Sequence, residues 1–130
     1  MGGLIAPGRW SRVGRPIVYM AESSALAMLE VLAGYEVGET PVTFQLLQID
    51  GPDDTPVTHW PADEDHHDTV LTSDWGDAFL RANATPLARV PSVIAPDSAN
   101  WLLNPLHPDA NRIRVVQAQR WPWDARLFER

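Results

Sequence analysis

A short apolar strand followed at once by an apolar helix constrains this fold more than any other stretch of the chain. Residues Pro16 to Ala21 are apolar and predict a buried strand. Pro16 is the first of them, and at the first position of a strand the missing N–H costs the sheet the least hydrogen bonding. Glu22 to Ser24 supply an N-cap and first-turn charge for a helix over Ala25 to Ala33, which Gly34 ends. A helix that is apolar nearly all round packs on more than one side, so this pair lies at the centre of the predicted fold.

Glu30 is the only polar side chain between Ala25 and Ala33. Helical spacing places small residues on its face, which could leave an open cleft there: Ser23, Ala27, Ala33 and Gly34. An isolated buried carboxylate is costly or gives up its charge. Glu30 is therefore either a surface residue or part of the wall of a site with partners.

Arg9 and Tyr19 are the other candidates near this helix. Arg9 lies in a loop between Gly8 and Trp10, where its planar guanidinium suits bidentate binding of carboxylate or phosphate. The alternative is a surface Arg stacked on Trp10. Tyr19 shares a strand face with Ile17, and by itself it is more typical of a core than of a site.

Three further strands and one more helix are predicted. β-branched and aromatic residues favour strands over residues 42–50, 87–95 and 113–119. Pro91 falls within the second of these, which implies an edge position or a bulge. A helix is predicted from Thr72 or Ser73 to about Asn83, because Thr or Ser followed by Asp favours a helix start.

The segments between these elements are predicted to be irregular. Residues 53–61 predict a loop, and residues 96–108 predict an ordered connector whose polar candidates, Asn104 and His107, are also typical of turn hydrogen bonds. The 130 residues therefore predict one compact domain of the α/β (α+β) class, with a mixed sheet and few helices.

The tract Asp63 to Asp68 is the richest source of metal ligands, with four carboxylates and two imidazoles. It has neither the helical His spacing of a zinc site nor the Gly-punctuated pattern of a calcium loop. A charged run of this kind usually faces water, so the sequence predicts a solvated acidic loop and no metal.

Composition narrows the function further. A formal net charge of -7 argues against a nucleic-acid partner. The absence of Cys excludes a thiolate nucleophile and a Cys-ligated zinc. No stretch approaches the roughly 20 apolar residues of a membrane span, and the start has no signal-peptide pattern, so a cytoplasmic location without membrane contact is expected.

Five blocks in order resemble the RES domain family. The blocks are Gly8 to Trp10 with residues 14–32, then Gly76 to Leu80, Arg89 to Ile94, Asn100 to Pro108, and Asp124 to Phe128. The likeness spans residues 8–128. The family takes its name from an Arg, a Glu and a Ser, which here are Arg9, Glu30 and Ser92.

The resemblance implies a fold similar to ADP-ribosyltransferases and NAD as the substrate, without a metal. Glu30 would stabilise the positive charge that develops on the ribose when the nicotinamide–ribose bond breaks, or would bind the ribose hydroxyls. Arg9 would hold the diphosphate, and Tyr19 would orient the nicotinamide end. Ser92 would support the ribose or Glu30, and Asn104 would line the same pocket.

Three functions stay open under this resemblance. The first is a toxin that degrades NAD by hydrolysis or phosphorolysis, the second is a toxin that transfers ADP-ribose to a protein, and the third is a non-catalytic domain that binds an antitoxin. The intact Arg9, Tyr19, Glu30 and Ser92 count against the third. The implied partner is an Xre-type antitoxin. The toxin would form either a homo-oligomer or a hetero-oligomer with this antitoxin.

Three Arg residues close together suggest where that antitoxin docks. Arg9, Arg12 and Arg15 precede the first strand and predict a basic rim on an otherwise acidic surface. We expect the rim to border a narrow cleft that the antitoxin closes.

Overall fold

The computed structural model describes residue 10 and residues 14–34 and 44–128. In these ranges the elements are β1 (Val18–Ala21), α1 (Ser24–Ala33), β2 (Phe44–Asp50), β3 (Val57–His59), α2 (Thr69–Ala82), β4 (Leu87–Pro91), β5 (Ala99–Leu103) and β6 (Arg114–Trp121). Short 3-10 turns lie at Ala110–Arg112 and Ala125–Leu127. Neither α1 nor α2, the helices of the described part of the chain, has the length and apolar character that a membrane crossing requires.

The strands form two sheets. The larger has the order β1-β5-β4-β3, in which β3 pairs with β4 in parallel and the other neighbours are antiparallel. The smaller is an antiparallel ribbon of β2 and β6, with a register shift between Gln48 and Ile49. The mixed main sheet and the few helices confirm the predicted fold class.

The central strand and helix form where the sequence predicts them, but the predicted packing of the helix on more than one side is wrong. Leu26 is the buried residue of α1, whereas Leu29 and Val31 are each 44% exposed. β1 covers Val18–Ala21, and α1 begins after Ser23, whose Oγ accepts a hydrogen bond from the Leu26 N–H at 3.1 Å. At the other end, the Gly34 N–H donates to the carbonyl of Val31 at 3.0 Å. Both ends of α1 therefore match the caps read from the sequence, but the predicted charge in the first turn is absent, because Glu22 precedes the Ser23 cap.

Helix α2 begins one turn earlier than predicted, so the predicted start at Thr72 or Ser73 is wrong. Asp68 is the N-cap, since its Oδ1 accepts from the N–H groups of Val70 and Leu71 at 3.0 and 3.1 Å. A carboxylate satisfies two free amides and adds favourable charge at the helix start. The rest of the acidic tract forms the predicted loop and is mostly exposed.

Two segments predicted as irregular contain strands of the main sheet. β3 lies inside the predicted loop 53–61, and β5 lies inside the predicted connector 96–108. β5 occupies the interior of the sheet, between β1 and β4. β3 has only three residues, which is too short for an alternating pattern to stand out. β5 lies in a segment rich in Pro and Asn, which favour turns over strands.

The predicted strand over residues 87–95 is also too long. β4 ends at Pro91, which pairs with Ala99 on β5, so Pro91 is not in mid-strand and no bulge forms there. β3 runs beside β4 only as far as Arg89, so no paired strand needs an N–H from Pro91 on that side. The chain then turns, and Ser92 is the first residue of that turn.

An aromatic cluster fixes α2 against the main sheet. Trp10, Trp60 and Trp75 meet edge to face, with ring centroids 5.1 to 5.8 Å apart. Trp10 is only 3% exposed, so its ring is not the surface platform considered above for Arg9. Trp75 stacks in turn on Phe79, which is buried in the core, and Trp75 packs against that core from a partly buried position.

Candidate active site

A cleft of about 1870 Å³ lies between the start of the main sheet, α1 and the β2–β6 ribbon. Ligand pockets for small molecules commonly measure roughly 300 to 1,000 Å³, so this cleft has a larger volume than most of them. Its polar lining includes Tyr19, Glu22, Glu30, Gln48, Asn100 and Gln117.

The α1 face that bears Glu30 forms one wall of the cleft. The small residues predicted beside Glu30 all line it: Ser23, Ala27, Ala33 and Gly34. Glu30 itself is half-buried. The cleft is therefore open at Glu30 because short side chains surround it, as the helical spacing predicts.

Two hydrogen bonds hold the Glu30 carboxylate against the end of the main sheet. Ser92 Oγ donates to Glu30 Oε1 at 3.2 Å, and Asn100 Nδ2 donates to the same oxygen at 3.0 Å. Ser92 follows β4 and Asn100 lies in β5. The turn after β4 and the strand β5 thus fix one oxygen of a carboxylate that belongs to helix α1.

The direction of the Ser92 hydroxyl follows from its other contacts. Ser92 Oγ accepts hydrogen bonds from the N–H groups of Ile94 and Ala95, both at 3.1 Å. A hydroxyl has two acceptor lone pairs and one proton, so both lone pairs are used and the proton goes to Glu30. Ser92 is 5% exposed, which keeps water from competing for this arrangement.

The second oxygen of Glu30 differs from the first. Both hydrogen bonds end on Oε1, and within residues 14–34 and 44–128 no donor reaches Oε2. An ionised carboxylate accepts on both oxygens. Oε2 can therefore accept a hydrogen bond from a ligand, or face a positive charge, while Oε1 stays fixed.

Glu22 is a second carboxylate of the cleft, but its oxygens are engaged. Oε2 accepts from the Ala99 N–H at 3.0 Å, and Oε1 lies 3.4 Å from Nη2 of Arg89. The backbone N–H of Glu22 also donates to the Ala99 carbonyl. Glu22 thus joins the end of β1 to the start of β5, and Glu30 is the better candidate for chemistry.

Comparison with known proteins decides the family. Residues 1–124 match the RES domain. The chain belongs to the RES domain family. It is 40% identical to Toxin Res of Pseudomonas putida, with 98% of this chain and 90% of that protein covered.

Other relatives of this RES domain carry similar names. The Prs ADP-ribosylating toxin of a Sphingobium species is 34% identical, with 99% of this chain and 85% of that protein covered. Toxin Res of Photorhabdus laumondii is 33% identical, with 98% and 86% covered.

Two of the three residues in the family name meet in this RES domain, because Ser92 contacts Glu30. Arg9, like Arg12, lies outside the described residues, while Arg15 is exposed. Tyr19 lines the cleft and packs against the core cluster that contains Ile17. The structure therefore brings Glu30 and Ser92 into contact and places Tyr19 on the same cleft.

The structure does not bring Asn104 to this cleft. Asn104 is 4% exposed, and its Nδ2 donates to Asn83 Oδ1 at 2.9 Å. Its Oδ1 accepts from the Leu106 N–H at 3.1 Å, which is the turn chemistry weighed as the alternative. His107 has a similar role, since its Nδ1 accepts from the Asp109 N–H.

Asn100 is the polar contact of Glu30 that sequence reasoning missed. It lies in the same family block as Asn104, and the apolar run from Trp101 to Leu103 separates the two. The signal that distinguishes them is the strand register, in which Asn100 lies opposite Ala21 on β1 and Val90 on β4.

In the described part of the chain, no group of three or more His, Asp or Glu residues is placed to hold a metal ion.

Replacing Ser92 with Ala should destabilise the protein and weaken the site together. The Ile94 and Ala95 N–H groups lose their acceptor, and Glu30 loses one of its two donors, so we expect the free energy of unfolding to fall by about 1 to 2 kcal/mol. Urea denaturation measures this loss. Ser98→Ala is the control, because no hydrogen bond from the Ser98 hydroxyl is seen in the described ranges, and a change within about 0.5 kcal/mol is expected. Equal losses in the two variants would contradict the role given to Ser92.

Proposed function

We propose that this RES domain is a toxin enzyme that breaks the nicotinamide–ribose bond of NAD and so depletes it, by hydrolysis or phosphorolysis. The observation that carries the proposal is the Glu30 carboxylate, held at Oε1 by Ser92 and Asn100 on the wall of a large cleft. The names of its relatives support a toxin, and one of them is named an ADP-ribosylating toxin.

The chemistry of NAD explains why a fixed carboxylate suffices. When the bond between ribose C1′ and the nicotinamide nitrogen breaks, its electron pair stays on the nitrogen and neutral nicotinamide leaves. Positive charge then develops on the ribose. A carboxylate already oriented toward that charge stabilises it without reorganising during the reaction. Water adding to C1′ gives ADP-ribose and releases a proton, whereas inorganic phosphate adding there gives an ADP-ribose phosphate ester.

The other site residues have proposed roles in binding. Tyr19, on the cleft wall, orients the nicotinamide end of NAD. Arg9 holds the diphosphate, since its planar fork can donate two parallel hydrogen bonds to phosphate oxygens. Ser92 acts on the substrate through Glu30 and not by direct attack, because its hydroxyl proton and both lone pairs are already engaged.

Arg9→Lys tests the proposed diphosphate clamp. The substitution keeps the charge but removes the fork, so we expect a weaker affinity for NAD, by roughly tenfold or more. Calorimetry in a Glu30→Gln background avoids turnover during the titration. Arg81→Lys, an exposed position in the last turn of α2, is the control and should leave the affinity unchanged. Equal affinities in the two variants would show that Arg9 does not hold NAD.

Transfer of ADP-ribose to a protein is the second candidate, and the name of the Sphingobium relative favours it. The bond that breaks is the same, and only the group that attacks C1′ differs. To separate the candidates, the purified chain is incubated with NAD, with and without phosphate and a cell lysate, and every product is identified by mass. ADP-ribose alone indicates hydrolysis, its phosphate ester indicates phosphorolysis, and a labelled protein indicates transfer. If none of them appears and NAD stays intact, the proposal is wrong.

A toxin of this kind requires an inhibitor in the cell that makes it. We propose an Xre-type antitoxin as the partner, in a cytoplasmic complex that covers the basic rim of Arg9, Arg12 and Arg15. An acidic surface on the antitoxin would pair with these guanidiniums and block NAD at the same time. Arg15 is exposed, as this role requires.

A further inference from the structure

We propose that Asn100 is a positioning residue for Glu30, and that it holds this role at a cost to the stability of the fold. The inference rests on the proposed function of Glu30, and it concerns a residue that neither binds NAD nor reacts in the scheme above.

The orientation of the Asn100 amide is set by its neighbour. An ionised carboxylate can only accept hydrogen bonds, so the atom 3.0 Å from Glu30 Oε1 is the amide nitrogen, Nδ2. The amide is planar, and Oδ1 must then point away from that oxygen. The contact to Glu30 therefore decides where both polar atoms of Asn100 lie.

The other polar atom of Asn100 is left without a partner. Oδ1 is buried and accepts no hydrogen bond, and it is the only buried side-chain nitrogen or oxygen atom in this condition among the described residues. A buried acceptor without a donor has lost its water and received nothing in exchange. The unpartnered Oδ1 thus destabilises the fold relative to an apolar atom in the same position.

Asn104 shows what an Asn with a structural role looks like in the same region. Asn104 directly follows the last residue of β5, whereas Asn100 is the second residue of that strand. Both of its amide atoms are bonded, Nδ2 to Asn83 and Oδ1 to the Leu106 N–H. The contrast indicates that Asn100 is present for Glu30 and not for the sheet.

The gain from Asn100 is control over the plane of the carboxylate. The last torsion of a Glu side chain is broad, so packing alone does not fix the two oxygens. Ser92, in the turn after β4, and Asn100, in β5, donate to Oε1 from different segments, and two donors on one oxygen define where Oε2 points. With one donor removed, the carboxylate can turn, and a stabilising charge that is misplaced by about 1 Å can cost on the order of 10²-fold in rate.

Asn100→Leu separates the effect of Asn100 on the position of the Glu30 carboxylate from its effect on the stability of the fold. Leu has nearly the same size and no polar atoms, so the unpartnered Oδ1 disappears together with the donor to Glu30. We expect a Tm close to that of the parent, because removing the unpartnered Oδ1 offsets the donor that Glu30 Oε1 loses. We also expect a kcat for NAD lower by on the order of 10²-fold and a KM that changes little. Asn104→Leu is the control, with a Tm lower by at least about 3 °C and a parental kcat per folded molecule.

Asn100→Asp adds an independent check, because it keeps the shape and replaces the donor with an acceptor beside Glu30. Its kcat should fall at least as far as that of Asn100→Leu. The inference is overturned if Asn100→Leu lowers the Tm as much as Asn104→Leu does, or if either Asn100 variant keeps the parental kcat. The Tm comparison requires no turnover and therefore tests the stability cost whatever the reaction is.

Glu30→Gln, measured in the same series, separates this inference from the proposed function. If Glu30→Gln is inactive while the Asn100 variants work at the parental rate, only the role of Asn100 is wrong. If Glu30→Gln also works at the parental rate, the proposed function of Glu30 is wrong.

Discussion

Replacing Glu30 with Gln should lower kcat for NAD cleavage by about 10²- to 10³-fold while the protein keeps its fold. Gln has the same shape and can still accept from Ser92 and Asn100 through its carbonyl oxygen. It has no negative charge to place against the ribose as positive charge develops there. Because this charge matters in the transition state more than in the bound substrate, we expect kcat to fall much more than the affinity for NAD.

Glu22→Gln is the matched control for this experiment. Glu22 lines the same cleft, yet its oxygens are bonded to the Ala99 N–H and to Arg89. The pair with Arg89 is partly exposed, so its loss should cost little. We expect a kcat close to that of the parent. A parental rate in Glu30→Gln, or equal losses in the two variants, would contradict the assignment of Glu30.

Replacing Gly76 with Ala should lower the free energy of unfolding by at least about 3 kcal/mol. Gly76 lies in α2, and a Cβ there would overlap the backbone carbonyl oxygen of Trp10. A backbone atom cannot rotate away as a side chain can, so α2 and the Trp10 segment must separate. At an ordinary helix position the same change would stabilise by roughly 1 kcal/mol, so the expected sign is reversed here.

Gly34→Ala provides the comparison for Gly76. Gly34 has helical dihedral angles of φ -83° and ψ -10°, and among the described residues a Cβ there would meet only the Val31 carbonyl oxygen, at 3.4 Å. We expect a free energy of unfolding within about 1 kcal/mol of the parent, measured by urea denaturation. If Gly76→Ala were no less stable than Gly34→Ala, the close approach of α2 to Trp10 would be wrong.

Local sequence signals predict the elements that depend on local contacts. β1 and α1 follow from an apolar run, a Ser cap and a terminal Gly, all within residues 16–34, and the structure confirms them. The predicted start of α2 is wrong because the acidic run gives no sign that the Asp68 carboxylate binds the first amides of the helix. β3 is not predicted because it is short and its partner β4 is distant in the sequence. β5 is not predicted because its segment is rich in turn-forming residues, and its partner β1 is distant.

The candidate site also combines features that local sequence signals predict with features that depend on distant contacts. The small face around Glu30 follows from helical spacing alone, and the lining of the cleft confirms it. The contact from Ser92 was suggested by family resemblance, since 62 positions separate it from Glu30. Asn100 could not be distinguished from Asn104 without the register of β5 against β1 and β4, which no local pattern contains.

The structure of Glu30→Gln bound to intact NAD would test the central claim most directly. The variant should bind NAD without cleaving it, which preserves the complex for crystallography. We predict that the ribose next to nicotinamide lies in the cleft, with a hydroxyl or C1′ within about 3.5 Å of the side chain of residue 30. NAD bound away from α1, with its nicotinamide ribose out of reach of residue 30, would contradict the claim.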